Sequence, residues 1–405
     1  MKRTDVFRGL VDKPIPEYFA HLNTPCYVID EERLRENVQT LFSIIERTGC
    51  KILLAQKAFS NYDFYPLLSP YLSGTEASGL YEARLGREEM PDGEVHVFCA
   101  AYRDDEFDEL LKYADHIVFN SINQLKKFGA VAKEHGKSVG VRINPECSTQ
   151  IDHEIYDPCA KGSRLGVTRD AWDKEMTDEI LSLIDGIHFH TLCEQDSEAL
   201  EITMEAVGKH FGDILPQMQW LNMGGGHHIA KEGYDIHRLE SIIRKTQKKW
   251  NLQVYLEPGE AIALNAGYIV SQVLDIVENG DIRTAILDVS AACHMPDVIE
   301  MPYTPPLLGG DQTKAKDNLY RLAGPTCLSG DIIGEYSFDK KLQVGDELIF
   351  GDMAIYTTCK NNTFNGMPLP NIYRMSSDGV FEQLTCFGYE DFKMRLGKYR
   401  GKDGK

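Results

Sequence analysis

Apolar and polar positions along the chain fall into two rhythms. Residues 26 to 29 form a short strand-like run that meets Asp30, a residue suited to cap a helix, and an amphipathic stretch then runs to Gly49. KILLAQK follows as a strand of the buried type. From there strand-like and helix-like segments alternate. Strands are predicted over 51–57, 75–79, 94–100, 116–120, 138–145, 186–190, 220–226 and 253–259. Helical spacing marks DDEFDELLKYA, SINQLKKFGAVAKEHG, SEALEITMEAVGKHFGDIL and IHRLESIIRKTQKKW between them. Such alternation implies a parallel sheet, and eight units over roughly 200 residues fit a closed β/α barrel of the TIM type. A doubly wound open sheet is the rival, which the count alone leaves open.

The rhythm changes after residue 265. YIVSQVLDIVENG, TAILDVS, YRLAGPTCLSG, DELIFGDMAIYTT and GVFEQLTCFGY read as strands split by Gly, Asp and Asn turns, with no long helical period until the last residues. The expected organisation is a barrel over 31–265 and an all-β domain over 266–405, to which residues 1–30 contribute through a strand around Tyr27.

Composition narrows the classes of function. The net charge of -19 argues against a nucleic-acid or anionic-membrane partner. It admits a cationic substrate, although solubility accounts for it at least as well. No run approaches the eighteen or more apolar residues of a membrane span, and MKRTDVFRGLVDKPIPEY lacks the apolar stretch of a secretory signal, so a cytoplasmic enzyme is expected. The 10 cysteines form no C-x-x-C pair and read as free thiols.

In a barrel, catalytic groups gather at the carboxyl ends of the strands. Lys57 ends the first strand after the apolar run ILLA, either covalently used or snorkelling to solvent. His188 and His190 end the sixth on one face, where H-x-H can bind a catalytic metal, can set His190 flat on a cofactor ring, or can simply be two hydrogen-bonded core histidines. Gly224, Gly225 and Gly226 end the seventh and read as a phosphate cradle or a tight turn. Glu257 ends the eighth, in VYLEPGE, followed by a second acid, Glu260. A carboxylate over a pyridine nitrogen keeps that nitrogen protonated; with no ring to meet, Glu257 is a solvated loop acid. GPTCLSGD carries Cys327 and Asp331, and DMAIYTT carries Tyr356.

Together, LLAQKAF, HFH, GGG, EPG, GPTC and AIYTT, in that order and over nearly the whole chain, resemble the alanine-racemase-fold decarboxylases, which include ornithine, diaminopimelate and biosynthetic arginine decarboxylases. LAQKAFS, TEASGLYEARLGREEM, DPCAKGSRLGV and HMPDVIEMPY are most similar to the branch that decarboxylates carboxylated triamines in polyamine biosynthesis. The resemblance implies pyridoxal 5'-phosphate as cofactor, no metal, and a homodimer with shared active sites. Under it, Lys57 carries the cofactor, His190 stacks on its ring, Gly224, Gly225, Gly226 and Tyr356 attend its phosphate, and Glu257 faces its ring nitrogen. Cys327 crosses to the other subunit's site. Glu260, Asp297 and Asp331 are the acids proposed for the substrate's amines, with Glu300 a weaker candidate.

Two departures stand out. Glu260 occupies the place of an arginine common in the wider family, and Thr191-Leu192-Cys193 replaces its small residues after the histidine. The alternatives are a decarboxylase of another basic amino acid and a metal-dependent barrel hydrolase using His188 and His190; the latter fits poorly, because such enzymes usually carry H-x-H on the first strand.

Overall fold

The computed structural model describes residues 6–7, 19, 22–150 and 157–398. Most of the amino-terminal stretch read for a secretory signal therefore lies outside the described residues. The chain divides into two compact units, one spanning Arg35–Ile262 and the other joining the residues up to Leu34 with those from Ala263 onward.

Strand β1 (Cys26–Asp30) runs straight into a helix, Glu31–Thr48. Asp30 caps it: its Oδ1 accepts from the Arg33 N–H at 3.0 Å, satisfying a donor that the first turn leaves open. Eight strands then follow: β2 (Lys51–Ala55), β3 (Gly74–Ala77), β4 (Glu94–Cys99), β5 (His116–Phe119), β6 (Ser138–Arg142), β7 (Gly186–His188), β8 (Trp220–Asn222) and β9 (Gln253–Leu256). Each pairs in parallel with the next, and β9 pairs back onto β2, so the sheet is a closed barrel and the open-sheet rival is excluded. The strands stop two to four residues short of most of the predicted ends. The residues past those stops, among them Lys57, His190 and Gly224, stand in the loops of the carboxyl face, where a barrel places its chemistry.

Leu53, Val118, Trp220 and Tyr255 pack together inside the barrel. Room for the indole comes from two strand glycines. A Cβ on Gly186 would lie 2.0 Å from Trp220 Cδ2, and one on Gly140 2.3 Å from its Cη2. The buried indole N–H donates to Ser138 Oγ at 2.9 Å.

The second unit is built on β1, β10 (Gly267–Asn279), β11 (Ile282–Leu287), β12 (Asn318–Ala323), β13 (Ile332–Phe338), β14 (Glu347–Gly351), β15 (Asn371–Met375) and β16 (Phe381–Thr385). Its sheet runs β13-β12-β11-β10-β1-β15-β16, with β14 paired to β10. β1 lies in the middle, antiparallel to β10 and parallel to β15. Cys26, Val28, Tyr268, Val270, Ile349, Tyr373 and Met375 form its core. The sequence pattern missed β13 and β15. It also extended strands through GPTCLSG and AIYTT, both of which are irregular turns.

Candidate active site

Lys57 sits in the turn two residues past the end of β2. Its neighbours fix that turn. Gln56 is buried, donates from Nε2 to the Glu82 carbonyl at 2.8 Å and accepts from the Tyr65 hydroxyl at 3.0 Å. Among the described residues no carboxylate forms an ion pair with the Lys57 ammonium. Its charge nevertheless acts on Glu76, Glu257, His188 and His190, so these groups surround one region of the carboxyl face.

Glu257, one residue past β9, is buried and held from two sides. Asn222 Nδ2 donates to its Oε1 at 2.5 Å, and His188 Nε2 lies 3.1 Å from its Oε2. Burial pushes this carboxyl up, but His188 and the Lys57 ammonium more than offset it, so Glu257 stays ionised. His188 in turn stacks on Phe98, centroids 5.4 Å apart, and the buried Arg142 guanidinium lies 4.6 Å from the same ring.

His190 is fixed by two loops. The Gly225 N–H donates to its Nδ1 at 3.1 Å, which puts the ring's own proton on Nε2, and Arg142 donates to its carbonyl at 3.0 Å. Burial, then Lys57 and Arg142, hold the imidazole well below its ordinary value, so it is neutral. The glycine run is required by the close approach of these loops. Gly224 and Gly226 have φ of +69 and +79, and a Cβ on Gly225 would lie 2.5 Å from the Glu257 carbonyl. The Gly224 N–H donates to Asn222 Oδ1. With the Gly225 amide given to His190, the amide of Gly226 is the one of the three with no acceptor among the described residues.

Glu260 is not a loose surface acid: its Oε2 lies 3.5 Å from Nε2 of His228, both side chains mostly buried. Sequence reasoning did not single out Glu76, at the carboxyl end of β3. It is buried, its Oε2 has no hydrogen-bond partner among the described residues, and burial followed by the charge of Glu257 raises it to about 8. Its place at a barrel strand end within TEAS was the available signal.

The remaining candidates belong to the second unit. Cys327 is exposed, and its thiol donates to Asn365 Oδ1 at 2.9 Å. Tyr356 has φ of +50, a left-handed conformation that a tyrosine adopts only when its surroundings impose it. Asp331 is buried with both oxygens engaged, accepting from Ser290 Oγ and the Ala292 N–H on one and from Thr326 Oγ1 on the other. It ties the GPTC loop to the turn after β11, which accounts for the acid without a substrate. Asp297 pairs with Lys360, which it shares with Glu300.

Lys57, buried Glu257, the neutral His190 and a glycine cradle beside them fit one group: a planar cofactor with an aldehyde, a ring nitrogen and a phosphate. The family profile described as "Pyridoxal-dependent decarboxylase, C-terminal sheet domain" matches residues 26–354, and the chain belongs to the pyridoxal-dependent decarboxylases. Pyridoxal phosphate is accordingly its cofactor. Within that family it is 41% identical to carboxynorspermidine/carboxyspermidine decarboxylase of Campylobacter jejuni over 389 residues, covering 93% of this chain and 100% of the relative. It is also 41% identical to carboxyaminopropylagmatine decarboxylase of Synechocystis, over 93% of this chain and 96% of that one. The crystal structure of carboxynorspermidine decarboxylase from Campylobacter jejuni, complexed with norspermidine, superposes with a TM-score of 0.84 at 40% identity, covering 92% of this chain and 100% of that one.

Proposed function

We propose that this enzyme decarboxylates a carboxylated triamine, carboxynorspermidine or carboxyspermidine, to norspermidine or spermidine. The observation that carries the substrate class is the likeness over the whole length of the Campylobacter jejuni enzyme, far above what a shared barrel requires. The residue roles rest on the site. Lys57 is the covalent anchor, reachable because no carboxylate among the described residues is paired with it. His190, neutral and held from both sides, lies against the cofactor ring. Gly224, Gly225 and Gly226 shape the phosphate cradle, and Tyr356 is proposed to attend the phosphate on the family resemblance. Bound pyridoxal phosphate supplies the sink for the electron pair left when the α-carboxylate departs. Glu257, ionised, holds a proton on the ring nitrogen. Cys327 of the partner subunit returns a proton to the carbon that has lost its carboxylate, in a homodimer with shared sites. The working compartment proposed is the cytoplasm; no helix among the described residues is long and apolar enough to cross a membrane.

Glu260 is the acid proposed to meet an amine of the substrate. Asp297 comes second, because Lys360 already neutralises it. Asp331 comes last, with both oxygens engaged.

A second reading has equal identity behind it: the substrate chain ends in a guanidinium, as in carboxyaminopropylagmatine. Carbon dioxide release from a panel of carboxynorspermidine, carboxyspermidine, carboxyaminopropylagmatine and diaminopimelate separates the two. The triamine reading expects the highest kcat/KM on one of the first two and a very low value on diaminopimelate; preference for the guanidino compound replaces it.

A further inference from the structure

The amino-terminal end of the barrel carries a second cluster that decarboxylation does not use. Glu94 heads β4, His96 stands two residues along, and His116 heads β5. The register sets His96 directly opposite His116, and their rings stack with centroids 3.9 Å apart and planes 11° apart. Glu94 Oε2 lies 3.2 Å from His96 Nε2. Lys51, heading β2, pairs with the other oxygen of Glu94 and reaches the Tyr255 hydroxyl at 3.3 Å.

Three features set this cluster apart from ordinary barrel filling. Glu94, His96 and His116 each offer a ligand atom, all within 4.8 Å of one another. His96 is 1% exposed, so its ring is held in place. The Nδ1 atoms of both rings are buried with no hydrogen-bond partner among the described residues, a condition that costs free energy unless something meets them.

We propose that this end of the barrel binds a divalent transition-metal ion of the zinc class through Glu94, His96 and His116. Two imidazoles and a carboxylate are a donor set such ions take, whereas magnesium and calcium call for oxygen. Ligand atoms about 2 Å from one ion at tetrahedral angles stand about 3.4 Å apart, so the widest separation has to close by roughly 1.5 Å. Because an imidazole takes an ion in its own ring plane, one of the two stacked rings turns as the ion enters. The ion ties β4 to β5 at the end opposite Lys57. Lys51 is its competitor: the ammonium now answers the charge of Glu94, and with 37% of its side chain exposed it can leave for solvent. Removing Lys51 therefore tightens the ion, which filling the barrel base alone would not produce.

The test uses the holoenzyme stripped with a chelator and titrated with zinc chloride. Bound zinc per chain is counted after dialysis, and the affinity is read against a competing indicator. The cysteines set a background that every variant shares. Glu94→Gln and His116→Ala are expected each to lose one zinc per chain. Lys51→Ala is expected to keep it and bind about threefold tighter, the size of effect an exposed ion pair supports. Equal zinc counts in the wild type, Glu94→Gln and His116→Ala overturn the site, as does Lys51→Ala binding no more tightly than the wild type. If His116→Ala does not fold, the two more exposed positions, Glu94 and Lys51, decide.

Discussion

Glu257 and His188 meet inside the barrel at 3.1 Å across the intervening strand β8, whose Asn222 grips the other oxygen of the same carboxylate. The acid is thereby held ionised where it is buried, and there a fixed negative charge acts most strongly on a cation-bearing ring. Glu257→Gln keeps the shape and removes the charge. Its kcat is expected to fall by about 10²-fold, in line with the loss of one preorganised electrostatic partner, with the cofactor still bound. Steady-state decarboxylation beside cofactor content checks this.

Glu76 and Glu257 divide their burden unequally. Glu257 is ionised, and burial with that charge alongside lifts Glu76 from an ordinary 4.5 to about 8. A carboxyl raised in the folded state contributes stability that is fully present below pH 4.5 and is lost as pH rises through about 8. Cofactor-free wild type should therefore lose thermal stability relative to Glu76→Gln between pH 5 and 8. Unfolding midpoints across that range decide, and parallel curves would remove the buried acid from the account.

Much of this architecture was legible in the sequence because two periods dominate it. The helix over 236–250 and the barrel strands followed the pattern closely, since each must bury one side or both. β13 and β15 escaped because IIGEYSF and NIYRM mix buried with part-buried or exposed positions without strict alternation. Glu76 escaped because an acid is ordinarily read as exposed, and only the closed barrel shows that this one is buried. Asp331 and Asp297 were legible as acids near the right motifs. The hydrogen bond of Asp331 to Ser290 spans 41 residues and the ion pair of Asp297 to Lys360 spans 63, separations that no local pattern carries.

For the substrate amines, Glu260 and Asp297 are expected to part company. Glu260→Gln removes an acid whose present partner, His228, is held neutral, burial bringing it down to about 4. A buried ammonium left without its acid loses roughly 2–5 kcal/mol, so kcat/KM on the triamine should fall at least about tenfold. Asp297→Asn should cost less, because Lys360 keeps Glu300 as its partner. Kinetics of the two variants on the best substrate of the panel measure the difference, and an unchanged Glu260→Gln would leave the amine site elsewhere.

Shared sites can be read by complementation. Lys57→Ala and Cys327→Ala subunits, each inactive alone, are mixed and allowed to exchange. Activity should return in part, since a mixed dimer rebuilds one whole site. No recovery after proven exchange argues that each subunit uses its own Cys327.

Lys57 is the residue to which the cofactor should be joined. Reduction of the holoenzyme with borohydride, followed by peptide mapping, fixes the cofactor to the lysine that carries it. The expected result is a single adduct on the peptide containing LLAQKAF, at Lys57, absent together with visible cofactor absorbance and nearly all turnover in Lys57→Ala. An adduct on any other lysine contradicts it.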